Sequence, residues 1–213
     1  MDNIFVYWDN SNIFHEAQRI AEEKNNSPSA RYRVRLHFDN LLKLATADRT
    51  LKSALAAGSI PPEMRNLWNR MENSGVEVHL FDRGNLERGE QEVPDLLLQN
   101  RMTHDCLRYL ETPGIVVLLT GDGAGYSEGQ GFHTTLELLH NRGWGVEVLS
   151  WRHSCKRRMR EWAENNGVFI ALDDYYDSIT FLEPSRPGHP LAPERPAGEL
   201  DLQKRPRFNV SPT

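Results

Sequence analysis

The chain has 213 residues, 38% hydrophobic and 26% charged, enough to bury a sizeable core in one domain with appendages. A formal charge of -5 excludes nucleic-acid binding driven by overall positive charge, though not a local basic face. There is no apolar run of about eighteen residues and no basic, apolar leader, so a protein of the cytoplasm with no membrane association is expected; Cys106 and Cys155, outside any CxxC or Cys/His pattern, are expected to be reduced thiols.

Ile4-Phe5-Val6-Tyr7-Trp8 is a short apolar run rich in β-formers, bounded by Asp9-Asn10-Ser11-Asn12, and predicts a buried strand followed by helix-cap chemistry. A helix should run on to about Glu23, until Asn25-Asn26-Ser27-Pro28-Ser29 breaks it. A second helix is predicted from Asp39 to Ala47, and a strand from Leu51 to Ala57. Pro61-Pro62-Glu63 suits a helical first turn, and Met64, Leu67, Trp68 and Met71 make a helical stripe that stops near Gly75. Val76 to Phe81 alternates like a strand, and a helix follows from about Pro94 to Glu111. Ile115-Val116-Val117-Leu118-Leu119 is the strongest buried-strand signal in the chain. The glycine-rich turn Thr120-Gly121-Asp122-Gly123-Ala124-Gly125 leads to a helix ending near Gly143. Val146 to Leu149 predicts a strand, Cys155 to Glu164 a helix, and Val168 to Ile170 a last strand.

This alternation implies an α/β fold, a Rossmann-like three-layer sandwich with a mainly parallel central sheet, because parallel strands need crossover connections. Residues 1–182 form the expected domain. From Glu183 onward prolines recur among charges without an apolar period, which predicts a disordered tail, 183–213, or an arm for a protein partner. A homo-oligomer remains open.

In an open parallel sheet, ligands bind beyond the carboxyl ends of the strands where strand order reverses. Asp9 and Asp122 directly follow apolar runs and fall there, and Asp95 opens the helix before the strand ending in Leu119. Three converging carboxylates repel one another unless a cation lies between them, and hard oxygen donors select Mg2+ or Mn2+. Such an ion activates water for attack on a phosphodiester. Asn10 and Asn12 are candidates to orient water or phosphate, the backbone amides of Gly121 to Gly125 are candidates to face an anion, and Thr120, Gly121 and Gly123 are candidate substrate-binding residues. Each acid also has a plain structural role available: Asp9 as a turn former or helix cap, Asp95 as a first-turn acid, Asp122 in a strand-to-helix turn. Arg152, Lys156, Arg157, Arg158 and Arg160 form the densest cationic cluster. With Trp151 and Trp162 they suit either nucleic-acid contact or a solvated helix face over two core tryptophans.

Val6-Tyr7-Trp8-Asp9-Asn10-Ser11-Asn12, Val93-Pro94-Asp95-Leu96-Leu97-Leu98, Leu118-Leu119-Thr120-Gly121-Asp122-Gly123 and Gly143-Trp144-Gly145-Val146-Glu147-Val148 together resemble the NYN domain family of the PIN-like nuclease superfamily, over about residues 3 to 172. The resemblance implies a Rossmann-like sheet, a Mg2+ or Mn2+ site and endoribonuclease activity on RNA, with Asp9, Asp95 and Asp122 at the acidic positions. Many members carry a further acid two residues after the third aspartate, where this chain has Ala124; Glu128 is the candidate to replace that oxygen. Some carry another acid about where this chain has Arg101, which is left as a phosphate contact or a surface ion pair. With fewer acids, a weak or inactive RNA- or protein-binding module is the alternative to a nuclease. A phosphatase or nucleotide-binding protein rests only on the glycine-rich turn.

Overall fold

A computed structural model describes residues 3–25, 27–59, 65–81, 93–121, 131–185 and 192–209. The first apolar run is strand β1 (Asn3–Asp9), buried along all but its first residue. Burial on both faces is why it reads as an unbroken run and not as an alternation. Helix α1 (Asn10–Asn25) follows without a linker, then α2 (Ala30–Arg33), β2 (Val34–Leu36), α3 (Phe38–Thr46), β3 (Thr50–Ser59), α4 (Arg65–Asn73) and β4 (Glu77–Phe81). The second half holds α5 (Val93–Arg108), β5 (Ile115–Leu119), α6 (Phe132–His140), β6 (Gly145–Ser150), α7 (Arg157–Asn166), β7 (Val168–Ala171), α8 (Tyr176–Ile179) and β8 (Thr180–Leu182).

Six strands form one sheet in the order β4-β3-β1-β5-β6-β7, every neighbouring pair parallel. Ile4, Val6 and Trp8 face one helical layer, where Ile13, Ala17 and Ile20 of α1 and Leu41 and Leu44 of α3 complete a core. Phe5 and Tyr7 face the other, with Leu98 and Met102 of α5, Leu136 and Leu139 of α6, and Met159 and Ala163 of α7. This is the Rossmann-like three-layer sandwich that the alternation of elements predicts. From β1 the chain moves outward through β3 to β4, then returns to the opposite side of β1 with β5, β6 and β7. Strand order therefore reverses between β1 and β5, and in open α/β sheets the crevice beyond the carboxyl ends at such a reversal is where ligands bind.

The short helices α2 and α8 lie outside the sequence expectations, and so do two larger features. Strands β2 and β8 form a separate antiparallel pair, Val34 opposite Leu182 and Leu36 opposite Thr180. Three-residue strands whose partners are so distant in the chain leave no local periodicity to detect.

The second feature corrects the expected tail. Over 192–209 the chain is bound to the domain, not disordered. Leu182 and Arg195 exchange backbone hydrogen bonds of 2.8 and 3.0 Å. Arg205, only 4% exposed, donates to the carbonyls of Leu44 at 2.9 Å and Ala45 at 3.2 Å and pairs with Glu147 of β6 at 2.7 Å. Leu200, Leu202 and Phe208 pack against the α1 and α3 core. Gly145 makes room for this, since a Cβ there would fall 2.5 Å from the Phe208 ring. The anchors are single residues spaced irregularly between prolines, so no stripe announced them.

Candidate active site at the β1–β5 crevice

Asp9 ends β1 and is 1% exposed. The backbone N–H of Asn12 donates to its Oδ1 at 3.3 Å, and the Asn12 side-chain amide donates to Oδ2 at 2.6 Å. Asp9 is thus the N-cap of α1. From the end of β5, the Thr120 hydroxyl donates to Oδ2 at 3.5 Å, so groups from both sides of the strand-order reversal grip one carboxylate. An ionised carboxylate offers about four acceptor directions, and capping a helix does not by itself consume it.

Gly121 explains how the β5 turn reaches α1. A Cβ on Gly121 would lie 2.5 Å from the carbonyl oxygen and carbon of Asn12, inside any allowed contact. Its own carbonyl accepts hydrogen bonds from Ser150 Oγ at 3.1 Å and from Ser154 Oγ, which ties the turn to the end of β6 as well. Gly121→Ala is expected to push this turn off α1, lowering stability by about 1–3 kcal/mol in a urea melt, the usual cost of overpacking. An unchanged melt would show that the contact relaxes freely.

Asp95 lies in the first turn of α5. A helix joining two parallel strands starts at their carboxyl edge, so α5 begins on the same rim as Asp9. Asp95, Leu98, Met102 and Asp105 recur at helical spacing along one stripe; Leu98 and Met102 are fully buried against the sheet, and Asp95, half-buried, heads that stripe. Lower on the same stripe, buried Asp105 accepts a hydrogen bond from Tyr7 Oη at 2.8 Å and pairs with Arg101 at 3.3 Å. Burial first, then the Asp105 charge, pushes the Tyr7 hydroxyl well above the ordinary phenol range, so it serves as a fixed donor. Nothing in the sequence expectations singled out Asp105. An acid in register with buried Leu98 and Met102 was the available signal, since a buried carboxylate needs donors.

The remaining candidates separate. Arg101 is held by Glu77 of β4 at 3.1 Å as well as by Asp105, as an ion pair. Arg152 pairs with Asp174 at 2.5 Å, and Arg157 with Glu161 at 2.6 Å. Lys156 is exposed just before α7. Trp151 is not a stacking surface: it is fully buried, and its indole N–H donates to the Ile13 carbonyl at 3.1 Å. Trp162 packs against the rings of His133 and His140. Asn10, the first residue of α1, is 6% exposed, and among the described residues its buried Oδ1 has no hydrogen-bond partner. Asp122, Gly123, Ala124 and Glu128 lie outside the described residues.

Among the described residues no group of three or more His, Cys, Asp or Glu side chains could hold a metal ion. The described ligand-type groups at this rim are oxygens, the carboxylates of Asp9 and Asp95 and the orphaned Asn10 Oδ1, a donor set that suits a hard divalent cation and not a soft one.

The sequence profile of the NYN domain matches residues 3–173. This chain belongs to the NYN domain family. The match takes in every strand of the six-stranded sheet and stops short of β8 and the bound tail, so this NYN domain carries both as additions to the matched region. Comparison with curated proteins gives no match. Membership brings with it a PIN-like, nuclease-type fold. In this NYN domain the motif Asp9-Asn10-Ser11-Asn12 forms the turn from β1 into α1.

Proposed function

We propose that this NYN domain is a Mg2+- or Mn2+-dependent endoribonuclease, with Asp9, Asp95 and Asp122 as the metal-holding acids. The supporting observation is the Asp9 carboxylate, buried at the reversal of strand order and gripped by Asn12 on one side and Thr120 on the other. A bound divalent cation would supply an activated water and neutralise charge on the phosphoryl oxygens. The chain's own groups do the positioning. Asn12 and Thr120 fix the plane of the Asp9 carboxylate, and Gly121 brings the β5 turn against the first turn of α1. The hydrogen bond from Tyr7 to Asp105 pins α5, and with it Asp95, to β1.

A second reading, an inactive RNA- or protein-binding NYN module, is favoured by Ala124 in place of an acid. One experiment separates the two: incubation of the purified protein with single-stranded and structured RNAs in EDTA, Mg2+ or Mn2+. The nuclease cuts internal bonds only with metal, and Asp95→Asn and Asp122→Asn each lose about 100-fold or more in rate, the scale of one lost electrostatic contact in a reaction centre. Equal cleavage by wild type and Asp122→Asn at every metal concentration removes this site from the chemistry. RNA retention without cleavage under any condition supports the binding module.

A further inference from the structure

Asn10 directly follows Asp9 at the start of α1 and Asn12 lies two residues further on, but the two asparagines use their amides differently. The Asn12 amide nitrogen is spent on Asp9, and its backbone N–H closes the cap. Asn10 is only 6% exposed, yet among the described residues its Oδ1 accepts no hydrogen bond. The end of β3 crowds it, a Cβ on Gly58 falling 3.4 Å from Asn10 Cβ. A buried acceptor without a donor weakens a fold, so a side chain that served packing alone would be apolar here.

The chemistry of the orphaned atom narrows its partner. An amide oxygen only accepts, so a phosphate oxygen does not satisfy it; the partner brings an O–H or N–H. Asp9, the preceding residue, makes the neighbourhood anionic, which favours a donor that arrives with positive charge. A water bound to a divalent cation meets both conditions, since the cation strengthens the O–H as a donor while neutralising the carboxylate. We propose that Asn10 Oδ1 accepts a hydrogen bond from a cation-bound water and is an outer-shell positioning residue of the metal site. The proposal rests on the metal site proposed above and concerns the ion alone, before any RNA is present.

The test is Mn2+ binding without RNA, read as free Mn2+ by electron paramagnetic resonance, beside thermal melts in EDTA. Asn10→Ala is expected to weaken Mn2+ binding about 10-fold, the lower range for lost outer-shell partners. Its melting temperature in EDTA stays level or rises, because an unsatisfied buried acceptor has gone. Asn10→Asp keeps an acceptor oxygen and binds Mn2+ at least as tightly as wild type. This pairing of weaker ion binding with an undiminished metal-free fold is what a purely structural asparagine would not produce. The proposal is overturned if Asn10→Ala binds Mn2+ as wild type does, or if it melts about 4 °C or more lower in EDTA, a shift on the scale of a lost structural hydrogen bond. Unchanged Mn2+ affinity with a selective loss of RNA over DNA binding overturns it too, assigning the oxygen to a sugar hydroxyl. Wild type that binds no Mn2+ removes this proposal together with the metal site, whereas wild-type binding unaffected by Asn10→Ala removes this proposal alone.

Discussion

Arg205→Ala is expected to cost about 3–5 kcal/mol of unfolding free energy at neutral pH, the range for breaking a buried ion pair from one side. Glu147 is fully buried in the middle of β6, where both guanidinium nitrogens of Arg49 reach it at 2.7 Å, Arg205 at 2.7 Å and the Phe208 amide at 2.7 Å. Burial alone would raise the Glu147 pKa, but hydrogen bonds and charge from the two arginines hold it below the ordinary carboxylate range. For Arg205 itself burial outweighs the attraction and draws its pKa down. A guanidinium nevertheless stays protonated in proteins, so the pair is ionised. Removing Arg205 leaves the carboxylate with half its cationic partners and strips donors from the Leu44 and Ala45 carbonyls. Because the folded pKa of Glu147 is depressed, its contribution is present above its unfolded value of about 4.3 and is lost as pH falls through the folded one. The gap between wild type and Arg205→Ala in urea denaturation should therefore narrow in acid. A chain ending at residue 182 should show at least the same loss at neutral pH. Equal stability of wild type and variant at pH 7 would mean that the tail is not fastened to the domain.

Asp9→Asn is expected to abolish most metal-dependent cleavage, by about 100- to 1,000-fold, while leaving the fold nearly intact. Asparagine is as good an N-cap as aspartate, so α1 keeps its cap, but a neutral amide brings neither the charge nor the second anionic oxygen that a divalent cation takes. Asp9→Ala removes both functions and should cost a further ~1 kcal/mol in stability. Cleavage rates and urea melts run side by side on the two variants resolve the cap from the site. Should Asp9→Asn cut RNA at the wild-type rate, the carboxylate is a helix cap and nothing more.

The strands of the main sheet were legible because each is a short apolar run between turn residues, and β1 and β5 stand out as buried on both faces. Asp9 was legible as a strand-end acid, with local signals for its cap in the Asn12 register and for its place at the rim in the apolar run. Strand order was not readable residue by residue; only the pairing of β1 with both β3 and β5 shows that the crevice opens beside Asp9. Arg101 and Arg152 had no visible fate in the sequence, since Glu77 and Asp174, which pair with them, come close only in the fold. The tail failed for a different reason. Proline frequency reports the lack of regular secondary structure, not the lack of a binding site, and Arg205 needs only Glu147 and two carbonyls on α3 to be held.

The β2–β8 pair and the Arg205 anchor impose an order on assembly. Both join the first quarter of the chain to its last, so the layer formed by α1 and α3 reaches its full set of contacts only when residues 180–205 arrive. A nascent chain emerging from the ribosome can pair β1 with β3 early, but its finished state waits for the final segment. Such long-range closure slows folding and leaves the α3 side of the sheet exposed for the interval, which makes that face the one a chaperone would be needed to shield.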